Sequence, residues 1–206
     1  MRRRGFTIWE LVIILAVVTI AAIIVVPAFF TRVHPKSART ICQSNLKQIS
    51  LGIAMYVQDS DDKFPITDMN DAAIDEKNPL GWADALQPYL KSHQLFCCPT
   101  QIENGARNET KKRPSDRDYT DYFFNRRLAG IKAKKIKSPS LTIMLGEGND
   151  GTDAANARYS LSTLPAAWIE DKSSPLYRHI GVSNYAFADG HVKWMKAGTN
   201  QSLAVQ

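Results

Sequence analysis

The feature that most constrains this 206-residue chain is an uncharged run of 20 residues from Leu11 to Phe30. An α-helix rises 1.5 Å per residue, so about 20 apolar residues cross a hydrocarbon layer of roughly 30 Å. Within the run, Thr19 is the only polar side chain and Pro27 the only helix breaker. We therefore expect residues 6–33 to form a membrane-spanning helix.

The charges before this run predict its orientation. Arg2, Arg3 and Arg4 precede it, and an excess of Lys and Arg marks the cytoplasmic flank of a membrane segment. We expect the N-terminus in the cytoplasm and residues 34–206 on the far side. A cleaved signal peptide is a poorer interpretation, because its apolar region spans about 7–15 residues before a small-residue cleavage site.

A single carboxylate, Glu10, stands at the N-terminal edge of the apolar run. An ionisable group next to an apolar helix is costly, which makes it a functional hypothesis and calls for a cationic partner. Neither a signal peptide nor a simple membrane anchor accounts for it.

The residues around this glutamate resemble the N-terminus of a type IV pilin or a type II secretion pseudopilin. Gly5 is followed by Phe6, Glu10 lies four residues further on, and Pro27 comes within the apolar run. In that family the prepilin peptidase cuts after the glycine and methylates the new N-terminal phenylalanine. The resemblance implies a leader of residues 1–5, cleavage between Gly5 and Phe6, and methylation of the Phe6 amine.

The same resemblance gives Glu10 and Pro27 roles in assembly. It implies that Glu10 neutralises the N-terminal amine of a neighbouring subunit, and that Pro27 marks where the helix can bend or melt. A buried charge is tolerable only when it is paired, so this contact would fix the stagger between subunits. The implied partners are further copies of the chain, the prepilin peptidase, the inner-membrane assembly platform and membrane lipid.

Helical periodicity resumes after Pro27 and predicts a helix over residues 34–58. Apolar residues recur there at steps of three and four, which makes one stripe. They are Ala38, Ile41, Cys42, Leu46, Ile49, Ile53 and Tyr56. We expect one long N-terminal helix, interrupted at most near Pro27 and Pro35, whose second half packs on a globular domain.

The rest of the chain predicts a small sheet. The β-branched, apolar segment Leu141–Leu145 indicates a strand, and Asp189-Gly190 between two alternating segments indicates a hairpin over 179–196. A tight turn of this kind requires positive φ at both central residues. The predicted fold is α+β, with a long N-terminal helix packed on a small antiparallel β-sheet, and residues 34–206 form the exported domain.

The middle and the end of the chain resemble one pilin-like group with a histidine, nine residues and then Asp-Gly. Here these are His179, Asp189 and Gly190, together with the segments 42–49 and 96–99. Members of the group are described as prepilin-type proteins or as a domain of unknown function (DUF1559). The resemblance implies a pilin-like architecture in which the three residues are a structural signature without a catalytic role.

The three cysteines are Cys42, Cys97 and Cys98. Export implies an oxidising compartment in which disulfides persist, and adjacent cysteines rarely bridge each other. We expect Cys42 to pair with Cys97 or with Cys98, the alternative being three small buried apolar residues. The cysteine spacing does not fit the paired C-x2-C pattern of zinc sites.

A glycine-rich acidic segment supplies the one cofactor hypothesis. Glu147, Asn149, Asp150 and Asp153 offer oxygen ligands on a flexible backbone, which suits Ca²⁺. The alternative is an ordinary turn, and we expect no other cofactor.

Catalysis and nucleic-acid binding are not expected. His179, Asp189 and His191 could form a general base with its orienting group, or a metal site, but the chain lacks a nucleophile elbow, a zinc-protease motif and a phosphate-binding loop. Its net charge of +6 includes the N-terminal arginines, and the remaining surface is only mildly basic. We predict that the chain is no enzyme and has no nucleic-acid partner.

The sequence thus predicts a structural subunit precursor of a pilus-like filament or a secretion pseudopilus. It would lie in the bacterial inner membrane as a single-pass protein before assembly. The alternatives are a minor subunit that primes or tips the filament, and a membrane-tethered extracytoplasmic binding domain that never polymerises.

Overall fold

A computed structural model describes residues 7–29, 35–67, 80–103, 113–149, 156–197, 199 and 202–206. For residues 24–29, 35–37 and 102–103 the description covers the backbone alone. The chain forms two compact units, Met1–Val33 and His34–Gln206. Each unit is described separately below.

The first unit contains helix α1, Ile8–Phe29. Its described apolar side chains are exposed, from 83% at Ile8 to 49% at Ile14 and 71% at Ile23. Pro27 lies inside the helix near its end, where its side chain is outside the described part. Across the described residues, no helix combines the length and the hydropathy needed to cross a membrane.

Within its described residues, the second unit contains four helices and five strands. The helices are α2 Pro35–Asp59, α3 Trp82–Ala85, α4 Pro99–Glu103 and α5 Ala166–Glu170. The strands are β1 Tyr122–Asn125, β2 Ile143–Glu147, β3 Ser160–Leu161, β4 Val182–Phe187 and β5 Val192–Lys196. Short 3₁₀ turns cover His93–Phe96, Arg126–Leu128, Ala133–Lys135, Pro139–Leu141 and Pro175–Tyr177.

The strands form one mixed sheet in the order β3-β1-β2-β4-β5. The pairs β1–β2, β2–β4 and β4–β5 are antiparallel, whereas β3 pairs parallel with β1. The α+β class is therefore confirmed, but the expectation of a purely antiparallel sheet is wrong. A two-residue strand is too short to carry an alternating pattern, which is why β3 left no signal in the sequence.

Helix α2 covers one face of this sheet, and a second apolar cluster covers the other. Successive side chains of a strand point to opposite faces. Tyr122 and Phe124 of β1 accordingly lie in the cluster that contains α2, whereas Phe123 lies in the second cluster, with Trp168 of α5. Both faces are covered at β1 and β2, so these two strands are buried along their whole length, whereas β5 at the edge is partly exposed.

The apolar stripe predicted on α2 is the face that packs. Ala38, Cys42, Leu46, Ile49 and Ile53 are at most 1% exposed. The other two members of the stripe lie at its edges, since Ile41 is 37% exposed and Tyr56 is half-buried.

The hairpin turn differs from the tight turn that the sequence predicts. Phe187 N–H donates to the carbonyl of His191 and Gly190 N–H to that of Phe187, so residues 188–190 form a three-residue loop. Only Gly190 has positive φ, at 83°, and Asp189 does not. The predicted two-residue turn needs positive φ at both of its residues, whereas this three-residue loop, which includes Ala188, needs it at one.

Strand β2 also lies two residues later than predicted. The segment Pro139–Leu141 forms a 3₁₀ turn, and the strand continues through Gly146 to Glu147, which the sequence assigned to a loop. A glycine is required there because a Cβ would collide with the ring of Phe123 and press on Tyr185. The glycine thus marks a close approach of strands rather than a turn.

The buried stripe of α2 predicts a large difference between two leucines on the same helix. Leu46 is fully buried and Leu51 is 54% exposed. We expect Leu46→Ala to lower the free energy of unfolding by about 2–5 kcal/mol, because it leaves a cavity. Leu51→Ala is expected to change it by no more than about 0.5 kcal/mol. Urea unfolding of the full chain measures both, and equal losses would contradict this packing of α2.

Candidate functional site

Four side chains from distant parts of the sequence meet between α2 and the sheet. Cys42 comes from α2, Cys98 precedes α4, Glu147 ends β2 and His179 precedes β4. Their exposure is 0% for the first three and 2% for His179. We call these four residues the buried cluster.

The distances within the buried cluster are those of direct contact. The Cys42 thiol donates to the Sγ of Cys98 over 3.2 Å, and that sulfur lies 3.7 Å from Nε2 of His179. The same Nε2 lies 3.1 Å from Oε1 of Glu147. A histidine thus connects a cysteine pair to a carboxylate inside the core.

Glu147 is held by Asn184 of β4. The backbone N–H of Asn184 donates to Oε2 over 2.8 Å, and its side-chain amide donates to Oε1 over 2.9 Å. The same amide nitrogen donates to the carbonyl of Arg39 on α2 over 3.1 Å. Asn184 therefore ties the carboxylate to the sheet and to the helix at once.

Cys98 and His179 are positioned by their local backbone. The N–H of Cys98 donates to Oδ2 of Asp121 over 2.6 Å. Directly after His179, Ile180 has φ of 57° and Gly181 has φ of 75°. A β-branched residue in the left-handed region is strained, at a cost on the order of 1–2 kcal/mol, so the surrounding packing holds the bend that turns His179 inward.

These contacts shift the ionisation of the buried groups. A hydrogen bond from Cys42, followed by His179 and Arg178, lowers the pKa of Cys98 to about 3. The hydrogen bond to Cys98 and burial raise the pKa of Cys42. Burial opposes the charged form of His179, but contacts with Cys98 and Glu147 raise its pKa to about 9. The favoured state is a Cys98 thiolate beside a His179 imidazolium.

Arg178 adds a second cation next to the buried cluster. Its Nε and Nη1 atoms are buried and make no hydrogen bond within the described structure, while Cys98, Asp121 and Glu147 raise its pKa against the effect of burial. The side chain also lines a pocket of about 550 Å³ that Trp168 and Ser174 share.

Of the two cysteines that the sequence offered to Cys42, the structure brings Cys98 to it. Cys97 is half-buried instead, with its Sγ 3.9 Å from Nδ1 of His93. A zinc site was set aside on cysteine spacing alone, yet Cys42, Cys98 and His179 place three ligand atoms within 4.8 Å of one another.

The two parts of the C-terminal signature have separate surroundings. His179 belongs to the buried cluster, whereas Asp189 lies in the exposed hairpin loop. There its Oδ1 accepts from the backbone N–H of His191 over 3.0 Å and lies 2.6 Å from Nδ1 of that ring. The ring of His191 stacks on Phe187. Asp189 and Gly190 therefore shape the hairpin.

The two calcium candidates that the structure describes lie in different environments. The carboxylate of Glu147 faces the buried cluster, and the side-chain amide of Asn149 donates to the carbonyl of Thr120 over 2.9 Å. Asp150 and Asp153 lie outside the described residues, so calcium binding stays a prediction.

At the N-terminus, Glu10 forms a capping box with Thr7. Its Oε2 accepts from the backbone N–H of Thr7 over 2.8 Å and from the Thr7 hydroxyl over 2.9 Å, and the Glu10 N–H points back to that hydroxyl at 3.4 Å. A capping box satisfies backbone donors at a helix start. Gly5 and Phe6 lie outside the described residues, so the predicted cleavage site is untested.

Sequence reasoning did not place Glu147, Arg178 or Asn184 near the cysteines. The pattern of a histidine, nine residues and Asp-Gly singled out His179, but no local pattern links this histidine to Cys42. The glycines around Glu147 pointed to a loop, which hid its place in a buried strand.

The contacts of His179 predict an unusual titration. Its pKa of about 9 lies above the ordinary value of 6.5, so the ring should stay protonated at neutral pH. The charged form stabilises the fold fully below pH 6.5, and this contribution is lost as the pH rises through about 9. Nuclear magnetic resonance of the imidazole signals measures the titration, with the cysteines kept reduced because the Cys98 thiol contributes to the raised pKa.

Glu147→Gln is the matched variant, because it keeps the shape of the side chain and removes its charge. We expect it to lower the pKa of His179. A pKa of His179 near 6.5 in the wild type, or a pKa that stays the same in the Glu147→Gln variant, would contradict the ion pair.

Comparison with known proteins yields one family. Residues 36–97 match the family described as "Protein of unknown function (DUF1559)", which is associated with pilin-like proteins. The match covers α2 to Cys97, less than a third of the chain. Neither the curated proteins nor the solved structures contain a match. Over this segment, the chain is similar to that family.

Proposed function

We propose that the chain is the precursor of a structural subunit of a type IV pilus-like filament or a type II secretion pseudopilus. Prepilin peptidase removes residues 1–5 and methylates Phe6, and the mature chain assembles with copies of itself from the inner membrane. The proposal includes no catalytic role and no cofactor.

The exposure of α1 is the observation that carries this proposal. Its described apolar side chains include Trp9 at 76% exposure, Leu15 at 58% and Ile20 at 59%. A helix that is apolar on all sides needs an apolar environment. A bilayer before assembly and a core of neighbouring α1 helices after assembly supply it. The uncharged run of the sequence continues to Phe30, past Ile23, the last side chain described in this helix.

The polar groups of α1 support such an environment. The Thr19 hydroxyl donates within the helix, with the carbonyls of Leu15 and Ala16 both 2.9 Å away. Its hydrogen bond is therefore satisfied without water, as apolar surroundings require. Glu10 is the one carboxylate of α1, and its contact with Thr7 leaves its charge without a cation among the described residues.

Two features of the second unit agree with a subunit of this kind. Its N-terminal segment matches a family associated with pilin-like proteins, and α2 has one apolar face that packs on a sheet. These features support the architecture more directly than the choice between a pilus and a pseudopilus.

The processing step predicts a defined mature N-terminus. In cells that make prepilin peptidase, we expect the chain to begin at Phe6 and to carry the extra mass of one methyl group. Mass spectrometry of the N-terminal peptide measures this, and cells without the peptidase are the control. A native chain that still begins with its arginine leader would contradict the proposal.

The two roles of Glu10 can be separated by a pair of substitutions. Glu10→Gln keeps the capping box, since glutamine also accepts from the Thr7 N–H, but it removes the charge. If Glu10 pairs with the N-terminal amine of a neighbouring subunit, Glu10→Gln leaves that amine buried without a counter-charge. An unpaired buried charge costs several kcal/mol, so we expect incorporation into filaments to fall at least about tenfold.

Thr7→Ala is the matched control, because it disturbs the cap and leaves the carboxylate in place. We expect this variant to assemble. Normal incorporation of Glu10→Gln together with failure of Thr7→Ala would show that Glu10 serves the helix start alone. Quantitative immunoblots of sheared filaments measure both variants.

A membrane-tethered binding domain is the second candidate, favoured by the pocket of about 550 Å³ beside Arg178. A minor subunit that primes or tips the filament is a variant of the first proposal. Mechanical shearing of cells distinguishes the three: a major subunit forms the bulk of the released filaments, a minor one occurs in traces, and a tethered domain stays with the membrane.

A further inference from the structure

The cysteine pair of the buried cluster has a chemical role that the filament proposal does not contain. Cys42 lies on α2, and Cys98 lies at the end of the segment that packs across this helix. Their sulfur atoms are 3.2 Å apart in a site that excludes water. Two chemistries fit a closed pair of this kind, a bound metal ion and a covalent bond between the sulfurs.

The geometry fits a metal ion poorly. With Zn–S bonds of about 2.3 Å, two thiolates on a tetrahedral zinc ion lie about 3.8 Å apart, which is more than the 3.2 Å found here. Nε2 of His179 faces the carboxylate of Glu147. Its other ring nitrogen, Nδ1, has no hydrogen-bond partner in the described structure, whereas the free ring nitrogen of a metal-bound histidine is nearly always hydrogen-bonded.

We propose that Cys42 and Cys98 form a disulfide bond in the mature protein, and that His179, held by Glu147, sets the reduction potential of this bond. Cys97 keeps its thiol. The disulfide joins α2 to the segment before α4, and this cross-link is independent of filament assembly.

The oxidant of this reaction is a small-molecule or protein disulfide, the donor. The Cys98 thiolate attacks one donor sulfur and releases the other as a thiolate. Cys42 then loses its proton and attacks Cys98 in the mixed disulfide, which releases the second donor thiolate. Two electrons pass from the cysteine pair to the donor, the Cys42 proton ends on one donor sulfur, and the other donor sulfur leaves as a thiolate that solvent protonates. Because both cysteines are buried, exchange requires local opening of this segment.

His179 acts on this equilibrium through the reduced state. Nε2 of the ring contacts both the Cys98 sulfur and Oε1 of Glu147, and Arg178 is a second nearby cation. These cations stabilise a thiolate, and a stabilised reduced form makes a disulfide more oxidising. His179 is therefore a positioning residue whose loss should make the bond harder to reduce.

The first experiment counts thiols in the full chain. The folded protein is incubated with glutathione disulfide, denatured, treated with N-ethylmaleimide and weighed by mass spectrometry. We expect one adduct, at Cys97, and three adducts after prior reduction. Peptide mapping should show Cys42 linked to Cys98. Reduction should lower Tm by about 10 °C, since native disulfides stabilise small domains by several kcal/mol.

Cys97→Ser is the matched control for the pairing. It should keep the bond and accept no adduct when oxidised, whereas Cys98→Ser should stay reduced and accept two. Three adducts on the oxidised wild type, or a linkage through Cys97, would overturn the proposal. So would stoichiometric zinc in the purified protein with all three thiols recovered after chelation.

The second experiment tests His179 at equilibrium with a glutathione buffer. We expect His179→Gln to raise the equilibrium constant for disulfide formation about tenfold, which lowers the potential by about 30 mV. His191→Gln, in the exposed hairpin, should leave the constant unchanged. A lower Tm with an unchanged constant would reduce His179 to a packing role and overturn this part of the proposal.

Discussion

The contact of His179 with Glu147 is the interaction on which the second unit depends. The carboxylate has no exposure, and leaving a buried charge unpaired costs several kcal/mol. Asn184 and His179 satisfy it only when β2, β4 and the turn before β4 are in place. The side-chain amide of Asn184 also donates to a backbone carbonyl of α2, so the group that holds Glu147 also fixes where the helix lies on the sheet. Apolar packing alone would define the position of α2 along the sheet less closely.

The two long helices meet different physical demands. After Glu10, the side chains described in α1 are apolar on every face and exposed, except for Thr19, whose hydroxyl donates within the helix. In α2, apolar residues every three or four positions are buried, whereas most of the charged and polar side chains lie on the exposed face. A filament subunit needs both kinds of helix, one to pack with other copies and one to carry a folded domain. The disulfide that we infer would strengthen the second without altering the first.

Local patterns in the sequence sufficed for the two long helices and for the position of the hairpin, and long-range contacts did not follow from them. The stripe from Ala38 to Tyr56 predicted the buried face of α2 because its period is that of a helix. The turn at Asp189 was mistaken, since the dipeptide does not reveal that Ala188 joins the loop. Glu147 was assigned to a loop by its neighbouring glycines, although Gly146 is there to let Phe123 approach. Nothing in a single sequence links Cys42 to His179, so the site itself emerged only from the fold.

The central claim is that α1 is covered by other copies of itself. The most direct measurement is photo-cross-linking in cells from an unnatural amino acid at Ile13, which is 59% exposed on α1. The account predicts a ladder of covalent dimers and higher multiples of the chain, lost when prepilin peptidase is absent. Cross-links to lipid alone, with the chain recovered only as a monomer, would contradict it.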